Sequence, residues 1–197
     1  TDGSFKLVSK AGRAEKNVAE AHQGAIIAIK WSYEGAALAT AGEDGQVKVW
    51  SKGGMLRSSL VQSSKPIYAV VWSPENDSIL YACDKNLILM PTLPGNKQLQ
   101  WKAHDGVVLA CDWNPGHNLI ISAGEDCKYR VWDQYGRQLY SSMPYDHVIT
   151  SLKWSPNGDF FAVGSFEMLR LCDKSGWSYS FHKPNSGSLL KLSWSHD

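Results

Sequence analysis

Ile27, Ile29 and Trp31 alternate with Ala28 and Lys30, and the turn Ser32-Tyr33-Glu34-Gly35 follows at once. A period of two over a handful of residues, closed by turn formers, is the signature of a β-strand. Ala37 to Ala41 comes next, small and apolar throughout, as suits a central strand crowded on both faces. The turn Glu43-Asp44-Gly45 leads into Val47 and Val49 with their alternating partners. Ser51-Lys52-Gly53-Gly54 then leads into a last strand through Leu56, Ser58 and Leu60. One stretch of roughly 40 residues thus predicts four short strands joined by tight turns, the size of one unit in a repeat array.

The unit recurs. Trp31, Trp72, Trp113, Trp154 and Trp194 lie 41, 41, 41 and 40 residues apart, each followed by Ser or Asn and three of them then by Pro. The units anchored by Trp31 and Trp113 share a finer pattern: His22 and His104 nine residues before the anchor, Thr40 and Ser122 nine after, Asp44 and Asp126 thirteen after, Trp50 and Trp132 nineteen after. Each set can close a brace across the four strands. The indole N–H donates to the hydroxyl, the hydroxyl to the His, and the His to the Asp in the turn, so that buried polar groups satisfy one another. Trp132 and Asp133 complete the Trp-Asp dipeptide. The predicted fold is all-β: a WD40-type β-propeller, incomplete, with four full four-stranded blades and partial blades at both ends.

Asp2 to Val8 overlays Asp44 to Trp50, so the chain is expected to start at the third strand of a blade. The predicted organisation is a partial blade over 1–21, blades over about 22–62, 63–103, 104–143 and 144–184, and the first strand of a next blade over 185–197. Such an array cannot match its first and last blades into a neat ring, and it is read as a piece of a longer protein. Two blades lack the brace. Ser63, Tyr81, Lys85 and Met90-Pro91 hold its positions in one, and Tyr145, Val163, Glu167 and Cys172 in the other. Their first strands remain legible in Ile67, Ala69 and Val71, and in Ile149, Ser151 and Lys153.

Because the His and Asp of a brace must meet, the loop before the first strand and the turn between the second and third share one rim. This upper rim carries Lys65, Lys85, Tyr145, Asp146, His147, Phe166 and Glu167. The missing braces free these residues for a partner, and aromatics on a rim can anchor an interface. Packing of Tyr145 and Phe166 between blades is the alternative. Trp177, Tyr179 and Phe181 alternate with Ser178, Ser180 and His182 in an outer strand with one apolar face. That face is expected to pack against the next blade, or else to form an edge for another chain.

Composition narrows the function. The 20 Lys and Arg balance 19 Asp and Glu, which leaves no basic stripe for nucleic acid. Apolar runs such as Val107–Cys111 fall far short of the ~18 residues of a membrane helix, so no membrane insertion is expected. Cys83, Cys111, Cys127 and Cys172 make no CxxC pair and no metal-ligand spacing; they are expected to be reduced, mostly buried small apolar residues. His104, Ser122 and Asp126, like His22, Thr40 and Asp44, contain the residue types of a hydrolase triad. Repetition in two units, with no nucleophile elbow around Ser122, points to bracing instead. Gly42-Glu43-Asp44-Gly45 is an acidic turn unsuited to phosphate. No catalysis, cofactor, metal or small-molecule substrate is expected.

Four segments, AHQGAIIAIKWSYEGAALATAGEDGQVKVWSKGGMLRSSL, LQWKAHDGVVLACDW, ISAGEDCKYRVWDQYGRQLY and FAVGSFEMLRLCDKSGWSYSFHKPNSGS, resemble the eighty-kilodalton WD-repeat subunits of the intraflagellar transport B complex. The resemblance runs from about Asp2 to Trp194, and LRLCDKSGWSY, with Cys172 in place of the usual Trp, is its most specific part. It implies the later part of the first of two propellers, which helical repeats follow in that family. It implies a non-enzymatic scaffold that binds other protein subunits of the complex and supports cilium assembly and maintenance. The implied location is the cilium, at axoneme and basal body, and the cytoplasm. A WD-repeat adaptor of another pathway, such as a ubiquitin-ligase substrate receptor, is the alternative.

Overall fold

The structure, a computed structural model, describes residues 2–195, and every regular element among them is a β-strand. Strands β1 (Phe5–Val8) and β2 (Ala14–Val18) form an antiparallel ribbon. The first full sheet contains β3 (Ile26–Trp31), β4 (Ala37–Gly42), β5 (Gln46–Ser51) and β6 (Leu56–Gln62). The second contains β7 (Ile67–Trp72), β8 (Ser78–Cys83), β9 (Asn86–Pro91) and β10 (Leu99–Lys102). The third contains β11 (Val108–Trp113), β12 (Leu119–Gly124), β13 (Tyr129–Asp133) and β14 (Gln138–Ser141). The fourth contains β15 (Ser151–Trp154), β16 (Phe160–Ser165), β17 (Met168–Asp173) and β18 (Ser178–His182). In every sheet each strand pairs antiparallel with the next in sequence. The innermost strands β3, β7, β11 and β15 adjoin one another in turn, which gives the radial arrangement of an incomplete WD40-type propeller.

The core is divided among the seams between blades. One apolar cluster joins the ribbon to the β3–β6 blade through Phe5, Ala21, Leu38 and Trp50, with the Phe5 ring edge-on to Trp50 at 5.1 Å. Three more clusters fill the successive blade–blade seams. A second strand such as β4 contributes to both seams of its blade, which explains why all of Ala37–Gly42 is buried and why its residues are small. Each blade buries its faces only against neighbours, so stability accrues seam by seam. Hairpin glycines let the outer strands close up. Gly54, Gly136 and Gly176 all have positive φ, and each lies against the outer part of the preceding blade: Leu7 and Val18, Trp101, and Tyr140 respectively.

Three features depart from the pattern read in the sequence. The alternation in β3 is present, but its bulky side faces out: Ile27, Ile29 and Trp31 are 37%, 44% and 46% exposed. The equivalent Trp72, Trp113 and Trp154 are each 3% exposed, because a full blade lies on that side of each. The ribbon supplies only an outer half-blade to β3. Second, no strand forms in 185–195, the described part of the expected next blade, whose last two positions lie outside the described residues. That segment makes a bridge from Ser188 to Phe166, and Trp194 Nε1 donates to the Lys153 carbonyl at 3.1 Å. It has no second strand to pair with in the described chain. Third, Trp177, Tyr179 and Phe181 do not share one packed face. A bulge opposite Leu171 and Cys172 breaks the register. Trp177 meets Tyr140 of the preceding blade, Tyr179 meets Phe160, and Phe181 covers Arg170.

Candidate functional site

The two full braces are built alike. In the β3–β6 blade Trp50 Nε1 donates to Thr40 Oγ1 at 2.9 Å, Thr40 Oγ1 and His22 Nε2 lie 2.7 Å apart, and His22 Nδ1 meets Asp44 at 2.9 Å. In the β11–β14 blade Trp132 Nε1 donates to Ser122 Oγ at 2.8 Å, Ser122 and His104 Nε2 lie 2.7 Å apart, and His104 Nδ1 meets Asp126 at 2.8 Å. Asp44 and Asp126 also cap their own turns by accepting backbone N–H groups from Gln46 and Lys128. Burial pushes both carboxyls up. The hydrogen bond from His22 and neighbouring amides holds Asp44 below the usual carboxylate range, and His104 with Arg130 does the same for Asp126. Burial lowers His104 below the ordinary histidine value, and Asp126 opposes that shift without cancelling it.

A further member escaped the pattern of four. Two residues before each braced Trp stands a cation, Lys48 or Arg130. Lys48 Nζ donates to the Ala21 carbonyl at 2.6 Å and Arg130 Nη1 to the Ala103 carbonyl at 2.8 Å, so each ties the third strand to the residue before the brace His. Arg130 also pairs with Asp126 at 2.8 Å. The signal was legible, since QVKVW and KYRVW carry the basic residue in register.

The β15–β18 blade keeps this cation as Arg170 but has lost the His. Tyr145 takes the His position, and the Arg170 guanidinium lies 5.1 Å from both the Tyr145 and Phe181 ring centres. Arg170 Nη1 donates to Ser178 Oγ at 2.7 Å, while its buried Nε has no partner. Tyr145 also stacks on Tyr129 of the preceding blade at 6.0 Å, so this residue is partly a seam residue. Phe166 is 44% exposed and meets His147 edge-on at 5.0 Å. Asp146, His147, Phe166 and Glu167 are exposed, and together with Tyr145 and Arg170 they line one cavity of about 430 Å³ on the upper rim. Glu167 is not released from structural duty: its φ is +47° and its N–H donates to the Gly187 carbonyl at 2.9 Å.

Lys65 and Lys85 do not join that cavity. They lie on the β7–β10 blade, where Lys65 pairs with Asp84 and the Lys85 carbonyl accepts from Ala103 and His104. The predicted surface is therefore two patches. Where the braces are missing, other polar contacts stand in. Ser63 Oγ lies 3.2 Å from Cys83 Sγ in the β7–β10 blade. In the β15–β18 blade the Cys172 thiol donates to Tyr129 Oη at 3.3 Å, and Tyr129 donates to the Gly176 carbonyl at 2.8 Å across the seam. Among the described residues no group of His, Cys, Asp and Glu is placed to hold a metal ion, and no helix is long and apolar enough to cross a membrane.

The family model for "WD domain, G-beta repeat" matches residues 15–51, 95–133 and 137–169. Most of the β7–β10 blade, which lacks the brace, falls in the gap at 52–94. The chain is 59% identical over all its 197 residues to the intraflagellar transport protein 80 homologs of Mus musculus and Rattus norvegicus, and it spans 25% of their length. It is 26% identical over 134 residues, 68% of the chain, to the F-box-like/WD repeat-containing protein TBL1X of Homo sapiens, of which that match covers 23%. The repeat model alone accounts for more than half of the residues, and the chain belongs to the WD domain, G-beta repeat family.

Proposed function

We propose that the chain is part of a non-enzymatic scaffold of the intraflagellar transport B complex, supporting cilium assembly and maintenance by binding other protein subunits. Identity of 59% along the entire chain to intraflagellar transport proteins is the observation that carries this reading. Identity to the F-box-like relative is 26% over a shorter stretch, which gives an adaptor of another pathway weaker support. The reading implies residence in the cilium, at axoneme and basal body, and in the cytoplasm.

The rim geometry supports a binding role. The cavity around Tyr145, Asp146, His147, Phe166 and Glu167 combines an exposed aromatic pair with two carboxylates, a composition suited to an interface anchor with a polar border. The triad-like sets support the absence of catalysis: Ser122 and Thr40 are 0% exposed and their oxygens are already engaged by an indole and an imidazole. A nucleophile needs access and a free base. Reversing both charges with Asp146→Lys and Glu167→Lys should weaken capture of complex subunits in native pull-downs while circular dichroism stays unchanged. Undiminished capture by a folded variant removes this patch as the contact. Recovery of ligase subunits in place of ciliary ones would transfer support to the adaptor reading.

A further inference from the structure

The channel bounded by the inner strands is a second place where charge collects, and the rim reading makes no use of it. Its wall repeats by register. Three residues before successive anchoring Trp residues stand Ala28, Ala69, Ala110 and Ser151, small side chains that leave a cavity of about 280 Å³. Lys30 and Lys153, one residue before their own anchors, line this cavity, and Lys191 from the strandless stretch 185–195 joins them.

A neighbouring cavity that shares Lys153 shows how this wall holds a carboxylate. Asp112, also one residue before its anchor, is 1% exposed. Lys153 Nζ donates to its two oxygens at 2.7 and 2.8 Å, and the Trp154 amide, on the free edge of β15, donates at 2.9 Å. Asp112 thereby balances one of three ammonium groups. Among the described residues no carboxylate lies within 4.0 Å of Lys30 or Lys191. Burial lowers the affinity of Lys30 for its proton, and Lys153 and Lys191 add to that against Asp112. A half-buried cation without a counter-ion is costly, and an entering anion relieves that cost.

We propose that the channel binds a carboxylate side chain from an acidic peptide segment of a partner, held among Lys30, Lys153 and Lys191 as Asp112 is held by Lys153 and the Trp154 amide. The cavity is below the usual size of small-molecule sites, and it admits side chains, not a folded element. Its cations are lysines, point charges without the planar fork that favours bidentate phosphate recognition. The proposal rests on the reading that the chain binds proteins, but at a site separate from the rim.

The test is fluorescence anisotropy of a labelled hexaglutamate peptide with the full chain, competed by tripolyphosphate. The peptide should bind, and Lys30→Gln with Lys191→Gln should weaken it by about tenfold or more, since each removes a charge-assisted contact. Asp112→Asn should strengthen binding by freeing Lys153, a gain that misfolding cannot produce. Asp146→Asn with Glu167→Gln should leave peptide affinity unchanged, so failure at the channel and failure at the rim are read separately. Equal affinity in the Lys30/Lys191 double variant, or binding of tripolyphosphate where hexaglutamate does not bind, overturns the proposal.

Discussion

Replacing Ser122 by Ala removes one oxygen from the brace of the β11–β14 blade and leaves the backbone free to keep its course. That oxygen accepts from Trp132 Nε1 at 2.8 Å and lies 2.7 Å from His104 Nε2. Ser122, His104 and Trp132 are 0%, 1% and 4% exposed, so water does not take its place. Each buried polar group left without a partner costs about 1–3 kcal/mol. Two groups are orphaned here, but the fold already holds the Trp113 and Trp154 indole nitrogens buried and unpartnered, which puts the indole at the low end. The expected loss is about 2–4 kcal/mol, a large part of the roughly 5–15 kcal/mol by which a domain is stable. Urea titration should show an earlier midpoint at unchanged slope, the mark of a stability change without a change in unfolded surface. Trp132→Phe removes the donor while keeping an aromatic ring, and the Ser122→Ala/Trp132→Phe double variant should lose less than the sum of the singles by about 0.5 kcal/mol or more. A single-variant loss under about 0.5 kcal/mol, the range of an ordinary surface change, would refute the brace, as would strict additivity.

Other consequences can be checked with the same titration. Gly176→Ala places a Cβ 2.4 Å from the Tyr140 ring at a φ of +100°, and a loss of about 2 kcal/mol or more is expected from overpacking and backbone strain together. Trp113→Ser should cost about 3–5 kcal/mol, in the range of buried Trp truncations. Trp31→Ser should cost well under half of that in this chain, because Trp31 is 46% exposed where Trp113 is 3% exposed; equal losses would contradict the half-blade account of that end. Burial holds His104 below its ordinary value, so the unfolded chain binds the proton first. Stability from this group is complete above about pH 6.5 and falls as pH drops toward the lower folded value. Asp44 and Asp126, also lowered, add a second fall below about pH 3.9 as they are protonated. Urea midpoints at pH 8, 5 and 3 should therefore decline in two steps, and His104→Gln should remove the first.

What the sequence made legible was whatever repeats. The Trp spacing and the period-two runs located the four strands of the β3–β6 blade and the first strands of the β7–β10 and β15–β18 blades, since a strand that buries a face must alternate and a ring of similar blades must repeat. What it left hidden depends on neighbours supplied by the fold. Ile27, Ile29 and Trp31 carry the same alternation as their buried counterparts, and their exposure follows only from what lies beside β3. The bulge opposite Leu171 and Cys172 sent Trp177, Tyr179 and Phe181 to three different partners, because one inserted residue undoes a face that alternation alone would assign. Of the rim residues, Tyr145 to Glu167 converge on one cavity, whereas Lys65 and Lys85 stand two blades away.

Register positions beside the anchors carry more chemistry than the anchors do. Two residues before the terminal Trp or its Cys172 substitute, Lys48, Arg130 and Arg170 occupy one site in three blades. The first two reach a backbone carbonyl beside a His. In the third blade the His is Tyr145, and the same cation turns into a guanidinium between two rings at the wall of the rim cavity. Loss of a brace thus does more than leave a blade bare. It redirects a structural cation to the surface where a partner is proposed to bind, while the inner-strand position before Trp31 and Trp154 sets Lys30 and Lys153 in the channel, and the one before Trp113 sets Asp112 beside it, paired with Lys153. If rim and channel arise this way, Arg170→Lys should perturb the rim cavity and spare the channel, since an ammonium cannot stack flat between Tyr145 and Phe181 as a guanidinium does. Rim-dependent capture would then fall while hexaglutamate affinity holds, and a parallel loss of both would show that the two sites are one.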